Sequence, residues 1–342
     1  MTDLEAAVQL LGGETNKVIY DDVGLPSIMV RFDKKMISEV IDDYVTDVVH
    51  PAFVVNNTEL DCFYISKYEN VIINDRAYSL PLQESRITRI SKAKEFCTNK
   101  GKGWHLFSVA EKAFIALQSF KNGINVGGNT RYGQNRIKDW EKGIKLDSGK
   151  VLTGSGPKSW AHNNDKSGVW DLVGNNGDWL NGIRFYNTEL QIINNNDCAD
   201  FNNSTDETSL LWKAIAPNGA LLTPAGDGLT NNSIKYNYTG GIFKLDVNNL
   251  SDTGGSGVFS SMESNVNVPQ LLIILGLYPQ KKSKGYTYSG RFKVGASANK
   301  VCYTYSGGNY TAQTEAGLWA LNNGLYDIAA HNCAIRSAYV EI

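Results

Sequence analysis

The chain has no long apolar run. The longest, Leu271 to Leu277, falls far short of the ~20 residues that span a bilayer, so membrane insertion is not expected. It has no excess of one charge either. Lys and Arg total 33 against 35 for Asp and Glu, which leaves no long-range field to recruit phosphate backbones, and nucleic acid is excluded as an expected partner. Cysteine is sparse and odd in number. Cys62, Cys97, Cys198, Cys302 and Cys333 form no CxxC pair, which argues against a zinc knuckle or a dense disulfide framework and leaves buried thiols as the expectation. The four histidines, His50, His105, His162 and His331, belong to no H-x-x-x-H or H-E-x-x-H arrangement, and the loop Asp and Asn residues show no EF-hand spacing. No metal or other cofactor is expected. Met1-Thr2-Asp3-Leu4-Glu5 has neither a basic n-region nor an apolar h-region, so synthesis in a cytoplasm without a secretory signal is expected.

What is present describes a folded globule, with 42% hydrophobic and 20% charged residues. The 33 Gly, 7 Trp and 17 Tyr point to tight turns and irregular loops pinned by large rings. His50-Pro51 is a natural boundary, because a residue before proline is pushed out of the helical region. Residues 1–50 are therefore expected to be a small docking or oligomerisation appendage, and residues 51–342 the main domain.

Phe63-Tyr64-Ile65 reads as a strand. Ile90, Ala93 and Cys97 share helical spacing before a stop at Gly101. The clearest local signal is Ser108 with Glu111, a capping box in front of Ala110, Ala113, Phe114 and Leu117 on one helical face, with Gly123 as the stop. Residues 120–165 and 194–265, dense in Asn, Gly, Ser and Lys, read as long surface loops. Two helices followed by Gly-, Asn- and aromatic-rich text give an α+β order.

Four segments carry a family resemblance. Gly168-Val169-Trp170-Asp171-Leu172-Val173-Gly174-Asn175 followed by Asp178-Trp179 resembles the central signature of the formylglycine-generating-enzyme branch of the C-type lectin fold. Ser306-Gly307-Gly308-Asn309-Tyr310 resembles that branch's R-G-G-x-W strand, Asn332-Cys333-Ala334-Ile335-Arg336 its N-x-G-F-R ending, and Gly103-Trp104-His105-Leu106 its G-W-R-L segment. The likeness spans residues 51–342 and implies a C-type-lectin-like α+β fold with two helices, small antiparallel sheets and much irregular loop. In the motif itself, Gly174 and Gly177 are expected to take backbone angles closed to other residues, Trp170 and Trp179 to supply buried mass, and Asp171 and Asp178 to bond turn amides. The oxidases of this branch use two cysteines after the paired glycines. Ala312 and Gly317 stand near those places, so no enzyme activity is expected, and an oxidase with a rearranged Cys302 and Cys333 is the alternative.

The stretch from about 301 to 338 also resembles the variable region of diversity-generating-retroelement proteins, a group that includes phage tropism determinants. In that group adenine-directed mutagenesis randomises AAC-type codons, which cannot yield Trp, Gln or Glu. The resemblance makes Gln313, Glu315 and Trp319 framework. It makes Tyr303, Tyr305, Asn309, Tyr310, Ala312, Thr314, Leu321, Asn323, Leu325, Tyr326, Ile328, Ala330 and His331 the candidate ligand-binding positions. Tyr303 and Tyr305 share strand parity, and tyrosine supplies rigid amphipathic contact area. The implied partner is a protein or glycan on a target cell surface, and the implied location a virion tail tip or fibre, or else a cell surface. A structural virion component is a third reading.

Overall fold

The helix Val109–Lys121 forms as its capping box demands: Ser108 Oγ accepts from Glu111 N at 3.1 Å, and Glu111 Oε2 accepts from Ser108 N at 2.9 Å. It is buried on nearly every side, and its Phe114 ring meets Phe32, Phe53 and Phe63 at centroid distances of 6.0, 4.9 and 5.6 Å. The helix Ile90–Thr98 buries the expected Ile90, Ala93 and Cys97. Their cluster includes Trp179 and Ile335 from distant parts of the chain. This computed structural model describes residues 1–342 except 43, 45, 251–253, 281–287, 296–299 and 326–331.

An antiparallel five-stranded sheet runs in the order Asn16–Tyr20, Pro26–Asp33, Cys62–Ser66, Ser337–Tyr339, Trp104–Leu106. The chain's first strands and its last one thus share a sheet. The boundary expected at His50-Pro51 does not divide the core, because Phe32 stacks on Phe63 at 5.2 Å and Val30, Ile37, Val40, Ile41 and Val49 join the same cluster. A second, twelve-stranded sheet carries Val301–Gly307 at its middle, between Gly317–Leu325 and Gly177–Tyr186. The architecture is α+β. It exceeds the expectation of two helices and small sheets, since helices also form at Asp3–Gly12 and Gln270–Ile274.

Residues 194–265, expected to be loop, contain strands at Trp212–Ile215, Lys235–Thr239 and Ile242–Asp246 among others. Their inward residues are few but large: Tyr236 stacks on Phe292 at 5.1 Å and Phe243 meets it edge-on at 5.4 Å. Short strands joined by Gly240 and Gly241, both at positive φ, hide this alternation beneath polar turns.

The two sheets are tied by one buried cation. Arg336, fully buried, donates from Nε to Asp178 Oδ2 at 2.7 Å, from Nη1 to Ser66 O at 3.0 Å and from Nη2 to Trp170 O at 3.0 Å. Asp178 is therefore an ion-pair partner rather than a turn-amide acceptor. Asp171 does fill that role, accepting from Gly154 N at 2.8 Å. Beside them the buried Glu69 accepts from Asn175 Nδ2 at 2.9 Å and from Asn176 N at 3.1 Å. Burial, then the charges of Asp171 and Asp178, push its carboxyl from 4.5 up to about 8.

Two predictions follow from this polar core. Arg336→Leu leaves Asp178 buried without its partner and should cost about 3–5 kcal/mol in urea denaturation. The folded protein holds the Glu69 proton more tightly than the unfolded chain, so this group's contribution is complete below pH 4.5 and is lost as pH rises through about 8. Urea midpoints of Glu69→Gln should lack the decline that wild type shows between pH 6.5 and 8; parallel curves would refute the assignment.

Candidate ligand-binding face

Val301–Gly307 pairs with Gly317–Leu325 so that Tyr303 lies opposite Gly324 and Tyr305 opposite Asn322. Tyr303 and Tyr305 are half-buried while Cys302, Thr304 and Ser306 are buried, the alternation that strand parity requires. The two rings are not freely displayed. Tyr305 meets the Trp179 ring edge-on at 5.6 Å, and Lys94 Nζ lies 5.4 Å from the Tyr303 ring centroid. Both lean on the cluster of Ile90, Cys97, Trp179 and Ile335, and burial raises the Tyr305 phenol above its ordinary pKa. Gly177 explains the fit beneath Tyr305. Its φ is not positive, contrary to expectation; it is glycine because a Cβ there would stand 2.6 Å from Tyr305 Cδ2.

After the strand the chain turns through Gly307 and Gly308, at φ +90° and +78°. Added Cβ atoms would meet Leu172 O at 2.5 Å and Ala316 Cα at 2.8 Å. The loop beyond is pinned by its backbone. Gly174 N donates to Gly307 O at 3.2 Å, Tyr310 N to Asn175 O at 3.0 Å, Tyr132 N to Tyr310 O at 2.9 Å and Gln313 N to Thr130 O at 3.0 Å. Thr311, Gln313, Thr314 and Glu315 are exposed, Asn309 and Tyr310 are half-buried, and Ala312, also half-buried, packs against the main core.

A polar cleft of about 430 Å³ opens here, and its walls bring together Tyr305, Asn309, Ala312 and Thr314 from the expected set. Tyr310 lies apart from it, packed edge-on against the exposed Tyr132 at 5.7 Å. The cleft also includes Asn322, Thr311 and Lys293, which sequence reasoning missed. Asn322 was within reach: it is an Asn of the variable stretch, and strand pairing sets it opposite Tyr305. Gln313 and Glu315, expected as framework, reach the same cleft.

Leu321 and Asn323 are corrections to the expected face, because both are buried. Leu321 pairs with Phe292 inside the main core, and Asn323 Oδ1 accepts from Gly295 N at 2.6 Å. Trp319 is buried as expected of framework, stacked on Phe259 at 5.4 Å. Leu325 is described only as the last residue of its strand. Tyr326, Ile328, Ala330 and His331 lie outside the described residues.

None of the five cysteines is in a disulfide. Cys302 lies opposite Phe185, while Cys333 and Ala334 flank Gly177 and Asp178 on the other side of that strand; Asp178 faces Ser306, four positions along from Cys302 (306 − 302), so at ~3.3 Å per residue the two cysteines are more than about 13 Å apart. A dithiol needs Cα atoms within ~7 Å, so these two cannot act together without rearrangement of the sheet. His50 and His162 are held neutral by burial, which pushes each down to about 3. His105 Nε2 lies 2.8 Å from Glu111 Oε1 within the helix cap. Among the described residues no group of three or more His, Cys, Asp and Glu side chains is arranged to hold a metal ion, and no helix is long and apolar enough to cross a membrane.

No family model matches the chain, and no curated protein does. Among solved structures, Treponema denticola variable protein 1 is similar at 9% identity and a TM-score of 0.34, over 95% of this chain and 99% of that one. The likeness is weak.

The geometry separates fixed positions from changeable ones, and melting temperatures can check the separation. Gly308→Ala should destabilise by at least about 2 kcal/mol, from positive φ and the Ala316 contact together. Thr314→Ala should stay within about 0.5 kcal/mol of wild type. Tyr305→Ala should cost about 2 kcal/mol, because half of its ring is packing.

Proposed function

We propose that this chain is a diversified ligand-binding protein of C-type-lectin-like fold that catalyses no reaction, with its binding face at the cleft between the Val301–Gly307 and Gly317–Leu325 strands and the loop joining them. The observation that carries the reading is the division of labour within residues 307–316. The backbone is bonded to Thr130, Tyr132, Gly174 and Asn175, while Asn309, Thr311, Ala312 and Thr314 direct side chains to an open polar cleft. A surface held in this way can change composition without losing shape, which is what diversification requires. Tyr305 at the cleft wall supplies a ring already ordered by Trp179, so contact with a ligand costs little rotamer entropy. The ligand class that fits is a protein or glycan presented on a cell surface, with the chain carried on a virion or a cell exterior.

A library randomised at Asn309, Thr311, Ala312, Thr314 and Asn322 tests this. Most members should stay folded with melting temperatures within a few degrees of wild type, and selection on immobilised proteins and glycans should yield binders. A library in which most members unfold, or from which no binder emerges while controls in another scaffold succeed, would defeat the reading.

A further inference from the structure

A pocket of about 240 Å³ opens between the strand Pro26–Asp33 and the C-terminal end of the helix Val109–Lys121, and it shares no residue with the cleft beside the Val301–Gly307 strand. Its apolar wall is built from Val30, Phe32 and Phe114, with the two phenyl rings edge-on at 6.0 Å and the His162 ring 5.3 Å from that of Phe32. The volume is just under the ~300 Å³ at which small-molecule sites begin, so an occupant must be small.

His162 is the unusual member of this wall. It is 5% exposed, and its Nδ1 accepts from Val169 N at 2.8 Å. Gly168 lets the loop close on that nitrogen, since a Cβ there would stand 2.9 Å from it. With Nδ1 an acceptor and the ring kept neutral by burial, the proton sits on Nε2. No described residue accepts from Nε2, so a nearly buried N–H donor lining the pocket has no protein partner.

The charge around the pocket is positive by one. Asp33 is held by Arg31, Nε to Oδ1 at 2.7 Å, whereas the half-buried Lys35 has no acidic oxygen within 4.0 Å among the described residues. The carbonyls at the helix end, which would repel an anion, are already bonded: Gln118 O accepts from Asn122 N at 3.1 Å and Ser119 O from Ile124 N at 2.9 Å.

We propose that this pocket binds a small carboxylic acid with a flat apolar body. The carboxylate accepts from His162 Nε2, Lys35 supplies the countercharge, and Phe32 and Phe114 meet the apolar part. The site lies wholly outside residues 301–338, so it is the same whatever composition the diversified cleft carries.

Saturation-transfer NMR on the purified full chain, with benzoate and the uncharged benzyl alcohol as probes, tests this. Benzoate is expected to bind with a Kd of about 1 mM, ordinary for so small a ligand, and benzyl alcohol about fivefold more weakly. Lys35→Gln should bring benzoate down to the level of benzyl alcohol and leave benzyl alcohol unchanged, while His162→Phe should weaken both about tenfold. Gln118→Trp fills the pocket from a half-buried position on the helix; it should abolish binding of both probes and still decides if His162→Phe does not fold. Absence of a saturable benzoate signal overturns the proposal, and so does benzoate binding that Gln118→Trp leaves intact. Equal affinity for the two probes, or equal benzoate affinity in wild type and Lys35→Gln, overturns the assignment of an acid.

Discussion

A guanidinium sealed from water must have its donors satisfied or the fold pays several kcal/mol, and the structure is arranged around that requirement at Arg336. Its partners come from two segments far apart in sequence: Trp170 and Asp178, eight positions apart, and Ser66 in the first sheet. Neighbouring backbone bonds close the same knot. Gly177 N donates to Asn332 O at 3.0 Å, Asn70 N to Ile335 O at 2.8 Å and Phe107 N to Arg336 O at 2.9 Å. The C-terminal segment is thus not a tail. It is the pin that joins the two sheets.

Strands packed into the core on either side explain how residues 309–315 can be surface. An excursion with both ends anchored need not fix its own course by burying side chains. At the start, Gly307 and Gly308 set the direction because only glycine tolerates the contacts with Leu172 and Ala316. Farther on, the strand Gly317–Leu325 returns inward with Leu318, Trp319 and Leu321 buried. Between these limits the loop is held to its neighbours mainly through main-chain groups, with one local side-chain bond, Asn309 Oδ1 accepting from Thr311 N at 2.9 Å.

The sequence made some of this legible and concealed the rest for physical reasons. Capping at Ser108 and Glu111, the Ile90, Ala93 and Cys97 face, and the parity of Tyr303 and Tyr305 are local patterns, and local patterns can be read from spacing. The helix Asp3–Gly12 has the same kind of signal, a capping box of Thr2 with Glu5, but a cap fixes only where a helix starts and not which core the segment around it joins. Strands within 194–265 escaped because each is short and its inward residues are outnumbered by turn residues. Long-range facts, such as Asp178 serving Arg336 or the first fifty residues completing the last strand's sheet, have no local trace.

The same distinction governs the face itself. An AAC-type codon filter sorts residues by what mutation can reach, whereas a strand sorts them by side. Leu321 and Asn323 pass the first test and fail the second, because alternation turns both inward while it leaves Asn322 outward opposite Tyr305. Gln313 and Glu315 fail the first and pass the second, since the loop exposes them whatever their codons. Of the positions that pass both tests, Tyr305, Asn309, Ala312 and Thr314 meet in one cleft, while Tyr303 and Tyr310 lie apart from it. Half-burial of Tyr305 follows from the same geometry: a ring at a strand position is ordered by the layer beneath it, whereas exposed loop residues such as Thr314 have no such layer. A face built from both kinds combines one preorganised aromatic wall with adaptable polar contacts.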